Sequence, residues 1–150
     1  MARSELLKFI EFIEGHWEGG MSRIERFEDI LAWQKARYLV RAIYQITATK
    51  KFAKDYGLSN QIQRSTVSIM SNIAEGFDRG GNKEFIQFLS IAKGSASEAE
   101  SQLYVAVDNG YITQSQFEEI RKITNDVKSL ISGFIRYLKK SDLKGVKYKV

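Results

Sequence analysis

The chain has 150 residues, with 23 Lys+Arg against 18 Asp+Glu for a net charge of +5, one His, and neither Cys nor Pro. That length and a 43% hydrophobic share suit one globular domain able to bury a core without a covalent staple. The missing Cys excludes a disulfide scaffold, a thiolate metal site and a Cys nucleophile, and a single His excludes any site built on two, so no enzyme, cofactor or metal is expected.

Charge is segregated along the chain: residues 35–64 carry +6 and 121–150 carry +7, against −3 for 1–34 and −5 for 65–120. Concentrated positive charge is the footprint of a polyanion binder, and equally the pattern left by two solvated faces and a basic tail. No apolar run reaches the 18 or so residues that a membrane span needs, and Lys8, Glu11 and Glu14 interrupt the apolar start. A cytoplasmic protein is expected.

In chain order, residues 1–14 predict a short amphipathic helix with Leu6, Phe9, Ile10 and Ile13 on one side. Gly15, Gly19 and Gly20 break it, and Met21 is read as the natural start, which makes residues 1–20 an extension. The first long helix is expected over 29–49, with Trp33, Ala36, Leu39, Val40, Ile43 and Ile46 as its stripe. Lys50, Lys51 and Lys54 follow in a connection where cations suit a helix C-terminus. The second helix should run from Ser59, as N-cap, to Phe77, with stripes at Ile62, Thr66, Ile69, Ile73 and at Val67, Met70, Ala74, Phe77, and should end at Gly80–Gly81. Asn82 should cap the third helix, which carries Phe85, Leu89, Ala92, Ala96, Ala99, Leu103 and Ala106 at alternating spacings of four and three, a sustained heptad seam ending near Asn109. Thr113 and Gln116 form a capping-box pattern, and Phe117, Ile120, Thr124, Val127, Ile131, Phe134 and Leu138 make the seam of the fourth helix. Residues 21–140 thus predict an all-α, up-down-up-down four-helix bundle, and 141–150 a basic tail.

In that topology the first helix adjoins the fourth, so Lys35, Arg37 and Arg41 can join Lys128, Arg136, Lys139 and Lys140 on one side, with Lys50, Lys51 and Lys54 nearby, as candidate phosphate contacts. Trp33, Tyr38 and Tyr44 are candidates for base stacking and, at helical spacing, equally for the core. The polar sides of the middle helices carry short residues where Lys and Glu are usual. Arg64, Ser68, Asn72, Glu75, Arg79, Gly94, Ser97 and Glu98 are therefore candidates for a contact between copies of the chain, or for close packing inside one bundle. Gly94 in a helix interior costs about 1 kcal/mol relative to Ala, which close packing would offset. Glu75 and Glu98 are the only acids considered for proton transfer, and no second catalytic group accompanies them.

Several strings now match something known. Residues 27–36 (FEDILAWQKA), 56–65 (YGLSNQIQRS), 68–76 (SIMSNIAEG), 85–95 (FIQFLSIAKGS) and 98–103 (EAESQL) resemble the four-helix-bundle proteins encoded in 23S rRNA intervening sequences. Ala53 and Met70 stand where that family often has Pro, and Gln63 where it usually has Arg. The resemblance implies a left-handed bundle assembled into a homopentameric ring, without known enzymatic activity. It is also similar to the accessory protein of reverse transcriptases in diversity-generating retroelements, which binds nucleic acid and the polymerase. Two functions follow as expectations: a ring that binds RNA or DNA through its basic surfaces, or an adapter that docks another protein.

Overall fold

The computed structural model describes residues 24–143, with side chains through Lys140. The expected helix over 1–14, the start at Met21 and the basic residues Lys144, Lys147 and Lys149 lie outside the described residues. Four long helices carry the fold: α1 (Leu31–Thr47), α2 (Tyr56–Asp78), α3 (Asn82–Asp108) and α4 (Gln114–Leu143). A 3-10 turn at Phe27–Asp29 precedes α1, and a one-turn helix, Lys50–Ala53, joins α1 to α2. Among the described residues there is no strand.

The seams read from the sequence become the core. All seven expected positions of α3 and all seven of α4 are buried, as are Ile62, Thr66, Ile69 and Ile73 of α2. The second stripe expected on α2 is only half covered, and its Val67 is exposed. Thr66 and Thr124 enter the core because each hydroxyl donates to the carbonyl four residues back, Ile62 and Ile120, at 3.0 and 2.8 Å. The rings of Phe85 and Phe134 meet edge to face at 5.3 Å, and those of Tyr104 and Phe117 at 4.8 Å. These pairs run in opposite order along α3 and α4, so the two helices are antiparallel. Contacts run α1–α2, α2–α3, α3–α4 and α1–α4, the cyclic order of a bundle with short connections.

α2 and α3 approach closely at Gly76. A Cβ placed on Gly76 would lie 2.6 Å from Phe88 Cβ and 3.0 Å from Phe85 Cδ1. One face of the Ser/Gly-rich pattern thus packs inside the bundle: Ser68 and Ser95 share a 3.0 Å hydroxyl–hydroxyl hydrogen bond across α2 and α3, and Asn72 Nδ2 donates to Ser68 Oγ at 3.0 Å.

Two caps differ from expectation. Asp55, not Ser59, caps α2: its Oδ1 accepts from the Leu58 amide at 3.0 Å, and Ser59 lies buried in the first turn. A carboxylate suits the positive end of a helix, and starting at Tyr56 satisfies an amide that a later start would leave bare. Gly81, not Asn82, holds the N-cap position of α3. Asn82 is buried, and its amide Nδ2 reaches the Leu138 carbonyl at 3.3 Å, linking the start of α3 to α4. The capping box of α4 forms as expected: the Gln116 amide donates to Thr113 Oγ1 at 3.1 Å, and Gln116 Oε1 accepts from the Thr113 amide at 2.9 Å.

At the end where α1 joins α2 and α3 joins α4, Asp55 serves both connections. Its Oδ2 accepts from the Tyr111 hydroxyl at 2.9 Å, which pushes the phenol pKa up, and the Phe52 and Tyr111 rings lie 5.2 Å apart. At the other end Gly80, with φ of 83°, turns the chain from α2 into α3.

Gly76→Ala tests the α2–α3 approach. Phe88 Cβ is fixed by its backbone and cannot swing away, so the helices must separate. The expected net loss is about 1 kcal/mol, because overpacking costs of about 1–3 kcal/mol outweigh the gain of about 1 kcal/mol in helix propensity. Urea unfolding of the two proteins measures it.

Candidate nucleic-acid interface

The ten cations proposed from the sequence do not form one patch. The alternation of helix directions places Lys50, Lys51 and Lys54 at one end of the bundle and Lys139 and Lys140 toward the other. Arg37 and Arg41 are exposed on α1, with the Arg37 guanidinium over the Trp33 ring at 5.9 Å. Arg136 is exposed on α4. Lys35 is the correction: it lies fully buried between α1 and α4, 3.7 Å from Asp126 Oδ2, and cannot reach a phosphate. Lys128 is ion-paired to Glu100 at 3.6 Å. For the other eight (Arg37, Arg41, Lys50, Lys51, Lys54, Arg136, Lys139 and Lys140), no carboxylate lies within ion-pair distance among the described residues.

Trp33 stacks edge to face on Phe27 at 5.2 Å and is half-buried, as is Tyr38, so both belong mainly to the packing of α1; Tyr44 is exposed.

The two flanks of the α3 seam meet different neighbours. Phe88 and Ser95, seven apart, face α2. Lys93 and Glu100, also seven apart, face α4. Glu100 is held between Arg121 and Lys128, each at 3.6 Å. One heptad away, Lys93 borders an open groove of about 410 Å³ whose other walls are Asn125, Lys128, Ser129, Ser132 and Arg136 of α4. The sequence reading missed Lys93. Its position, one residue past the seam residue Ala92 and seven before Glu100, was the available signal.

The residues proposed as a contact between copies divide similarly. Ser68 and Asn72 are half-buried between α2 and α3, whereas Arg64, Glu75, Arg79, Gly94, Ser97 and Glu98 are exposed. Glu75 and Arg79 pair at 3.0 Å along α2. A Cβ on Gly94 would meet nothing within 4 Å, so packing within this chain does not explain the glycine. Around it, Gln87, Ile91, Gly94, Glu98, Ser101 and Val105 are all exposed at spacings of four and three, with Ile91 54% and Val105 45% accessible: a second heptad edge facing outward.

A family profile described as 23S rRNA-intervening sequence protein matches residues 28–133, most of the chain. The chain belongs to this family. Among solved structures it is similar to a protein of unknown function from the S23 ribosomal protein family of Bacteroides thetaiotaomicron, at 29% identity and a TM-score of 0.64, covering 69% of this chain and 97% of that one. No curated protein matches. Gln63 Nε2 donates to Thr47 Oγ1 at 2.9 Å and ties α2 to the end of α1.

Among the described residues of this family member, no group of His, Asp and Glu is disposed to hold a metal ion, and no helix is long and apolar enough to cross a membrane.

Burial pushes the Lys35 pKa below the ordinary lysine range, and Asp126 opposes that shift only in part. A lysine whose folded pKa is depressed costs stability while it must stay charged, and the cost fades as pH rises through that pKa toward the ordinary lysine value. Lys35→Met is therefore expected to be at least as stable as the natural protein at pH 7, with the advantage shrinking at pH 9–10. Asp126→Asn should lose about 1–3 kcal/mol, less than for a fully enclosed pair because the Asp126 side chain is 41% exposed. Urea unfolding of the three proteins across pH gives both answers.

Proposed function

We propose that this protein is a non-enzymatic homo-oligomer of the cytoplasm that binds RNA or DNA through the phosphate backbone, using its exposed cations on α1, α4 and the α1–α2 connection. The observation that carries the reading is the set of eight exposed Lys and Arg with no acidic partner among the described residues. Surface cations in a soluble protein commonly lie beside carboxylates. Here they do not, and Glu100, between α3 and α4, is already engaged by two cations. Such a surface neutralises phosphates without reading bases, so affinity comes from counterion release. Glu75 pairs with Arg79, and Glu98 is exposed with no hydrogen-bond or ion-pair partner among the described residues; neither sits in an arrangement that would move a proton to a substrate.

Assembly is the second half of the proposal. The outward edge of α3 offers Ile91, Val105 and a bare Gly94 backbone, the features that let a helix from another copy approach closely. The resemblance of the sequence to its family adds a pentamer as the form this takes. The same exposed apolar side chains favour a second reading, an adapter whose partner is a different protein.

A labelled single-stranded RNA should bind the purified protein at about 50 mM salt and be released steeply as salt rises. Reversing the charge of Arg37 and Arg41 should weaken binding by a similar factor for every RNA sequence tried. Absence of any salt-sensitive complex, together with a pulled-down protein partner, would establish the adapter reading instead.

Light scattering in high salt after nuclease treatment should give a mass several times the 17.2 kDa of one chain. Gly94→Leu should lower that mass without unfolding the protomer, since the added side chain meets nothing within one copy. A natural protein that scatters as a single chain would remove the assembly half of the proposal.

A further inference from the structure

The groove lies between α3 and α4, and it joins Lys128 and Arg136, expected from the sequence on a surface shared with α1, to Lys93 of α3. Its walls are unusual in composition. Lys93, Lys128 and Arg136 supply three cations, and Asn125, Ser129 and Ser132 supply an amide and two hydroxyls; there is no apolar side chain and no acid among the six.

The state of these groups matters more than their number. Glu100 neutralises the neighbouring stretch by holding Arg121 and Lys128, but it is one heptad from Lys93, and neither Lys93 nor Arg136 has an ion-pair partner among the described residues. Ser65 and Ser90 spend their hydroxyls on the carbonyl four residues back, Gln61 and Ile86. Ser129, Ser132 and Asn125 make no such bond and leave their donors at the groove wall. A site of two unopposed cations with three neutral donors is built for an oxyanion with several acceptor oxygens. At about 410 Å³, the groove admits a nucleotide-sized group and not merely a bare ion.

We propose that this groove seats a phosphate group, and that in the assembled complex the phosphate is one of a polynucleotide backbone, fixing where the strand crosses α3 and α4. The proposal rests on the nucleic-acid reading for the source of the phosphate, but not for the site itself. Lys93 and Arg136 contact the phosphate oxygens, Ser129, Ser132 and Asn125 donate to the remaining acceptors, and Lys128, shared with Glu100, sets the rim.

Two measurements on the full-length protein separate the claims. In the first, a labelled 20-nucleotide RNA of mixed sequence is titrated with the natural protein, with the double variant Lys93→Gln/Arg136→Gln, and with a control of equal charge, Lys83→Gln/Lys122→Gln, altered at exposed positions outside the groove. The groove variant should bind about tenfold more weakly than the control, with a salt slope shallower by roughly 0.7, the share of one neutralised phosphate on a single strand. In the second, lysine acetylation is followed by mass spectrometry with inorganic phosphate present, against chloride at equal ionic strength; Lys93 should be protected and Lys83 not. RNA binding that is equally reduced in the groove variant and the control overturns the groove as a backbone contact and leaves the nucleic-acid reading in place. No RNA binding by the natural protein overturns the nucleic-acid reading, and the groove is then decided by acetylation alone. Protection of Lys93 supports a seat for free phosphate, and equal labelling of Lys93 in phosphate and chloride overturns the site.

Discussion

A helix with a seam of small residues packs between two neighbours only if they are held at short distances, and the contact that sets the close approach to α2 here is Gly76 against Phe88 and Phe85. Where a methyl group would overlap Phe88 Cβ at 2.6 Å, α2 and α3 are drawn together, and the Ser68–Ser95 hydrogen bond continues the same line of contact. Phe85 is shared: it meets Phe77 of α2 at 6.1 Å and Phe134 of α4 at 5.3 Å. The rotation of α3 about its own axis is thereby fixed, which turns Lys93 and Glu100 toward α4 and leaves Ile91 and Gly94 facing outward. Steric fit at one glycine determines which polar residues of α3 become a wall of the groove and which become surface.

Electrostatics then works within a geometry that packing has set. Lys35 shows the priority: the seam of α1 demands a long side chain between α1 and α4, and the ammonium group is accommodated by Asp126 and by the Tyr38 ring 5.4 Å away. The charge is tolerated because it is partnered, and the methylene stem does the filling. Glu100 plays the complementary part on the other side of α4, where one carboxylate between two cations holds α3 and α4 in register and leaves the cations beyond it uncompensated.

Much of this was legible in the residues alone. Every seam position that heptad spacing identified on α3 and α4 is buried, because in a bundle without Pro nothing competes with the 3.5-residue period; Ile123, beside the seam of α4, is buried too and escaped it. The Thr113–Gln116 cap was equally plain, since both partners are local in sequence. Failures came where a local rule met a tertiary one. Asn82 has the chemistry of an N-cap but is pulled inward to the Leu138 carbonyl, and Ser59 loses the cap to an Asp whose carboxylate also serves Tyr111. Counting charge by segment put Lys35 with its exposed neighbours, although it falls three to four residues from Leu31, Ala32 and Leu39 and so belongs to the inward stripe. It also separated Lys93 from Lys128 and Arg136, because a groove between two helices draws on residues that are distant in sequence and carry opposite segment charges.

The double use of Asp55 has a consequence for how the molecule comes apart. One carboxyl group caps α2 through Leu58 and holds the α3–α4 connection through Tyr111, so both chain reversals at that end share a single clasp. Losing that carboxyl group would loosen both reversals at once, whereas losing the Tyr111 hydroxyl would loosen only the α3–α4 one. At the opposite pole no such side-chain clasp is needed: the chain reverses from α2 into α3 through the backbone of Gly80, in a conformation that a side chain would strain.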